Sequence, residues 1–131
     1  LIDGSKLSPG ELTGKGVLIN FWATTCSPCR KEIPDLITLY NEFSPKGLRV
    51  IGVAMAYDRP DQVIRFKQDY KIPYMLALDL ESSIASKLDV EAIPVSLLLT
   101  PRGQIAYRHS GVINIEDMRT RIAAMLPTET K

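Results

Sequence analysis

The chain has 131 residues, 45% of them apolar and 24% charged, and its 16 basic and 15 acidic side chains leave a net charge of +1. A chain of this length buries a core without needing a disulfide to hold it. So balanced a charge, with no basic block, gives nucleic acid no electrostatic footprint, and apolar runs such as "GVLI" and "SLLL" fall far short of a membrane span. Residues 1–16, rich in Gly, Ser and Pro, read as an N-terminal loop. "GVLINFWA" is β-branched and aromatic and predicts a buried strand over Val17–Trp22. Ile33, Leu36, Ile37, Leu39, Tyr40 and Phe43 then recur at helical spacing and form one apolar face, stopped by Ser44-Pro45 and Gly47. A second strand is predicted over Leu48–Met55. A second helix starts at Asp58-Arg59-Pro60 and carries Val63, Ile64, Phe66 and Tyr70. A short strand over Tyr74–Asp79 and a short helix over Ser82–Leu88 follow. Val95–Thr100, the turn "PRGQ" and "IAYRHS" make a hairpin, and Ile115–Leu126 closes the chain as an amphipathic helix.

That order, β-α-β-α-β-α-β-β-α, places the chain in the α/β class. The helical links predict right-handed parallel crossovers and the hairpin an antiparallel edge, with helices on both faces of the sheet. No repeat or linker divides residues 1–131, so one domain is expected.

The two cysteines, Cys26 and Cys29, stand in "FWATTCSPCRKEIP". A bridge between them closes too short a loop to stabilise the fold much. A structural zinc site needs four ligands, and His109 is the one other strong soft-metal ligand, so no metal is expected. Cys26 falls where a strand ends and a helix begins, the edge at which open α/β sheets place their reactions. Free N–H groups and the positive end of the helix dipole favour a thiolate there. Two intervening residues put Cys29 one turn on, in reach of the Cys26 sulfur and more buried. Pro28 stiffens that turn. Pro94, just before a strand, belongs in a tight loop, and Trp22 has, beside a role next to the cysteines, the plainer reading of a large aromatic capping a core edge.

"INFWATTCSPCRKEIPDL" resembles the active-site segment of the thioredoxin superfamily, and within it the TlpA/ResA-like periplasmic thiol–disulfide oxidoreductases of bacteria. The resemblance covers nearly the whole chain. It implies a thioredoxin-like fold with a central mixed β-sheet, Cys26 as nucleophile and Cys29 as the resolving thiol. Trp22 matches the tryptophan before the motif and Pro34 the proline within the active-site helix. "EAIPVSLLL" matches the cis-proline loop, which implies a cis Ile93–Pro94 bond and makes Trp22, Ile93 and Pro94 the expected substrate-binding residues. Gly103 and Gly111 match the hairpin glycine and the glycine after the last strand. Two departures stand out. Asn20 occupies the position where cytoplasmic thioredoxins carry a buried aspartate. The glutamate that ResA-like members place after the second strand aligns with Tyr57 or Asp58, which makes Asp58 the candidate for proton transfer, although Asp58-Arg59-Pro60 also reads as a helix cap.

The resemblance further implies reduction of disulfides in partner proteins without a cofactor, a membrane thiol electron donor and a monomeric state. It implies a periplasmic location, with an N-terminal anchor or signal preceding Leu1, and cytochrome c maturation as one family role. Two alternatives belong to other classes. A thiol peroxidase of peroxiredoxin type carries a proline and a Ser/Thr where this chain has Ile19 and Ala23. A Sco-type copper chaperone spaces its cysteines by three and adds a histidine after the third strand, whereas His109 lies on the hairpin.

Overall fold

The computed structural model describes residues 16–126. Strand β1 (Gly16–Trp22) pairs in parallel with β2 (Leu48–Ala54) on one side and antiparallel with β4 (Val95–Leu99) on the other. The edges are β3 (Met75–Leu78), parallel to β2, and β5 (Ile105–Ser110), antiparallel to β4, so the order is β3-β2-β1-β4-β5. The central place of β1 follows from its composition, since both of its faces are covered and only Ile19 is less than fully buried. Most element ends match the sequence expectation to within one or two residues. Of the expected N-terminal loop, residues 1–15 lie outside the described residues and Gly16 already belongs to β1.

Alternation along the strands divides the core in two. Leu18, Trp22, Val50, Leu76 and Leu98 face helices α1 (Ser27–Phe43), α2 (Pro60–Asp69) and α4 (Ile115–Met125), through Ile33, Leu36, Leu39, Val63, Met118 and Ile122. Val17, Phe21, Ile51, Val53, Val95 and Leu97 face the other way, against Ala85 of α3 (Ser83–Lys87) and Val90. Helices therefore cover both faces. At Gly52 the packing needs glycine, because a Cβ there would stand 2.8 Å from Leu76 and 3.2 Å from the Trp22 ring nitrogen.

One expectation is corrected. The link from β3 through α3 to β4 is not a parallel crossover, because β4 runs antiparallel to β1. A helix of five residues rises about 7.5 Å, while a five-residue strand runs about 16 Å. This helix alone does not carry the chain back to the strands' starting edge, and the loops on either side of it do not make up the difference. β4 therefore starts at the edge where β3 ends, and five segments converge there: the carboxyl ends of β1, β2 and β3, the start of β4 and the end of β5.

Candidate active site

Cys26 stands at that edge as the N-cap of α1. Its backbone is extended and its Sγ accepts the Cys29 N–H at 3.3 Å, one of the helix's free donors. No acidic side chain occupies the first turn to oppose a thiolate. Cys26 and Cys29 are joined in a disulfide with their Cα atoms 5.2 Å apart. Cys26 is half-buried, while Cys29 is 1% exposed. The helix N-terminus and the more buried second sulfur are the arrangement that the spacing predicts.

The turn before Cys26 is held from two sides. Asp58, after β2, accepts the Thr24 N–H and the Thr24 hydroxyl, both at 2.7 Å. Arg30, on α1, donates to the Thr24 carbonyl at 2.9 Å. Asp58 thus lies beside the motif as expected, but its carboxylate is spent on the turn and on the neighbouring Arg59 N–H at 3.0 Å. The helix-cap reading is corrected as well, because Arg59 is the N-cap of α2 and no side chain bonds there. Tyr57, the other aligned position, is 66% exposed.

A second carboxylate lies deeper and was not foreseen. Glu32, one turn beyond Cys29 on α1, is fully buried. Its Oε1 accepts from the Asn20 amide at 2.8 Å and its Oε2 from the Ile113 N–H at 2.7 Å; the same amide also donates to Ser96 Oγ at 3.2 Å. Burial raises the Glu32 pKa above the usual carboxyl value, and the bonds from Ile113 and Asn20 oppose it only in part. Asn20, at the buried-aspartate position of cytoplasmic thioredoxins, is here a donor to a carboxylate rather than a proton carrier. Glu32 could have been found by spacing, because it sits three residues after Cys29, four before Leu36 and seven before Leu39, on the buried face of the helix.

Trp22 is 3% exposed and packs edge-on against Phe66 in the core cluster that also holds Cys29, so little of its ring is left to meet a substrate. The Ile93–Pro94 bond is cis. Pro94 is buried and half-buried Ile93 packs against the same cluster as both cysteines. The Pro94 carbonyl accepts the N–H of Gly111, whose φ of 94° suits glycine, and this ties the turn after β5 to the proline loop. Both ring nitrogens of His109 bond within the hairpin and that turn. Among the described residues no group of three or more His, Cys, Asp or Glu side chains could hold a metal ion.

The AhpC/TSA family matches residues 2–108. The chain is similar to thiol-disulfide oxidoreductase ResA of Bacillus subtilis strain 168, with 27% identity over 98% of this chain and 71% of the relative. It is 30% identical to the ResA of Bacillus thuringiensis strain Al Hakam, over 96% of this chain and 72% of the relative. The crystal structure of a thiol:disulfide interchange protein of the thioredoxin family from Chlorobium tepidum TLS superposes with a TM-score of 0.84. It is 25% identical and covers 96% of this chain and 90% of the other.

Proposed function

This chain belongs to the AhpC/TSA family and is a thiol–disulfide oxidoreductase, and on that premise we propose that it reduces disulfides in partner proteins through Cys26 and Cys29. The observation that carries the division of labour is the N-cap position of half-buried Cys26 beside fully buried Cys29. The Cys26 thiolate attacks one sulfur of the substrate disulfide, and the other sulfur leaves as a thiolate that takes a proton from water. Cys29 then loses its proton and attacks the Cys26 sulfur. The Cys26–Cys29 disulfide forms, the second substrate sulfur leaves as a thiol, and two electrons have passed to the substrate.

A buried thiol resists ionising, so the second step needs a base. Glu32 supplies it in this reading. It stands on the same face of α1 one turn from Cys29, and its raised pKa gives a stronger base than an ordinary carboxylate. Asp58 positions the turn that presents Cys26. The Ile93–Pro94 loop borders the cysteines, and the Ile93 backbone receives the substrate as an added strand. Trp22 supports the cysteines from within the core cluster.

The substrate class is a disulfide-bearing polypeptide outside the cytoplasm, and a membrane thiol protein returns the chain to its dithiol form. Apocytochrome c is one such substrate. The family resemblance supports this placement, and among the described residues no helix is long and apolar enough to cross a membrane.

Cys29→Ser tests the reading. Cys26 still attacks, nothing resolves the adduct, and partner proteins accumulate as reducible mixed disulfides on gels run without reductant. Equal trapping by Cys26→Ser would reverse the two roles.

A further inference from the structure

The turn after β5 carries a directed set of hydrogen bonds that the reaction above leaves unused. Tyr107 and His109 lie two apart on β5, opposite Leu98 and Ser96, on the face of the sheet that holds Asn20 and Glu32. The Tyr107 hydroxyl stands 3.1 Å from His109 Nδ1, and His109 Nε2 stands 3.0 Å from the Val112 carbonyl oxygen. A carbonyl only accepts, so Nε2 carries the hydrogen. In the neutral ring Nδ1 is then bare and accepts from the hydroxyl. The Val112 carbonyl and the Ile113 N–H belong to one peptide group, and that N–H donates to Glu32 Oε2 at 2.7 Å. Donation therefore runs one way, from Tyr107 to His109, across the Val112–Ile113 peptide, to a fully buried carboxylate. Each bond polarises the next in such a chain. Within it stands a half-buried imidazole, a side chain that can gain a proton.

We propose that His109 is a positioning residue for Glu32: it holds the peptide whose N–H meets the carboxylate, and a proton gained by its ring favours the ionised form of Glu32 across that peptide. The effect on turnover rests on the proposed proton exchange between Glu32 and Cys29, while the coupling itself does not.

The other charged and titratable groups around this chain are few. Asp35, on the same helix as Glu32, opposes its ionisation, and buried Tyr74, before β3, is held further from ionising by Glu32. On α4 the Arg121 guanidinium lies 3.7 Å over the Tyr107 ring and is paired with Asp117 at 2.9 Å. Among the described residues His109 is the one group that joins Glu32 to solvent through a shared peptide. When its ring gains a proton at Nδ1, the Tyr107 hydroxyl must turn from donor to acceptor. The Nε2–H then donates more strongly into the Val112 carbonyl.

The test follows the Glu32 carboxyl carbon by NMR across pH in the reduced, full-length protein. The ring signals of the chain's single histidine mark where it gains its proton. The Glu32 signal is expected to show a second inflection over that same interval in the native protein. In His109→Gln, which keeps an N–H donor for Val112 but cannot charge, that inflection vanishes. The carboxyl midpoint then rises by about half a unit, less than the roughly 1–3 units that a directly opposed charge produces. A single Glu32 transition with the same midpoint in both proteins would overturn the proposal, and the native titration alone decides it if the variant folds poorly. If the coupling is found but Cys29 resolves mixed disulfides at one rate in both proteins, the coupling of His109 to Glu32 stands. In that case the proton exchange between Glu32 and Cys29 falls.

Discussion

Two buried carboxylates flank the Cys26–Cys29 turn, and they are held in different ways. Asp58 comes from the β2 side of β1 and faces three donors, two of them on Thr24. Those donors, on Thr24 and Arg59, are why the proposed mechanism gives it the positioning of the turn that carries Cys26. Glu32 is bound toward the β4 side and receives two donors at full burial. There desolvation outweighs the bonds and raises the proton affinity. In the proposed mechanism the donors around Asp58 make it a clamp, and the desolvation of Glu32 makes it the proton acceptor.

The largest expected effect breaks the comparison on the Glu32 side. Glu32→Gln should slow resolution of the mixed disulfide about 100-fold near neutral pH, within the range of general acid–base catalysis. The initial attack by Cys26 should change little. Rapid-quench kinetics of the two steps measure this, and equal resolution in variant and native protein would remove Glu32 from the reaction.

Asp58→Ala should act mainly on stability. It leaves the buried Thr24 N–H and hydroxyl without partners, at a cost of about 2–3 kcal/mol in urea unfolding. Resolution by Cys29 should stay within a few-fold of native wherever the protein is folded. A selective loss of the resolution step would return Asp58 to the proton path. Thr24→Val sharpens the same side. It deletes one of the two Thr24 bonds and keeps the N–H, so about 1 kcal/mol is expected by the same measurement. A loss as large as that of Asp58→Ala would mean that the hydroxyl alone holds the turn.

The smallest effect is a pH dependence. The folded pKa of Glu32 is raised, so the stability this group contributes is fully present below the unfolded carboxyl value, about 4.3, and declines as pH rises through the folded value. The melting temperature of native protein relative to Glu32→Gln should therefore fall from pH 4 to pH 8. A difference that grows with pH would mean that the two donors outweigh burial.

Local chemistry determined much of this protein from the sequence alone. The apolar run of β1, the three-to-four spacing on α1 and the single pair of cysteines between them place two thiols at a helix N-terminus, because strand and helix patterning and the helix dipole act over a few residues. The same short range explains what stayed hidden. Glu32 carries a charge, and charges on helices ordinarily face water; that it faces inward depends on Asn20, 12 residues before it, and Ile113, 81 residues further along the chain. Asp58 could be placed beside the motif by counting from β2, but whether its oxygens meet Thr24, a cysteine or water depended on how β2 pairs with β1. The direction of β4 was likewise settled by the short α3 and by packing across the second face of the sheet. Partners for buried polar groups are set by which strands lie side by side, and that pairing is a property of the whole core rather than of any segment.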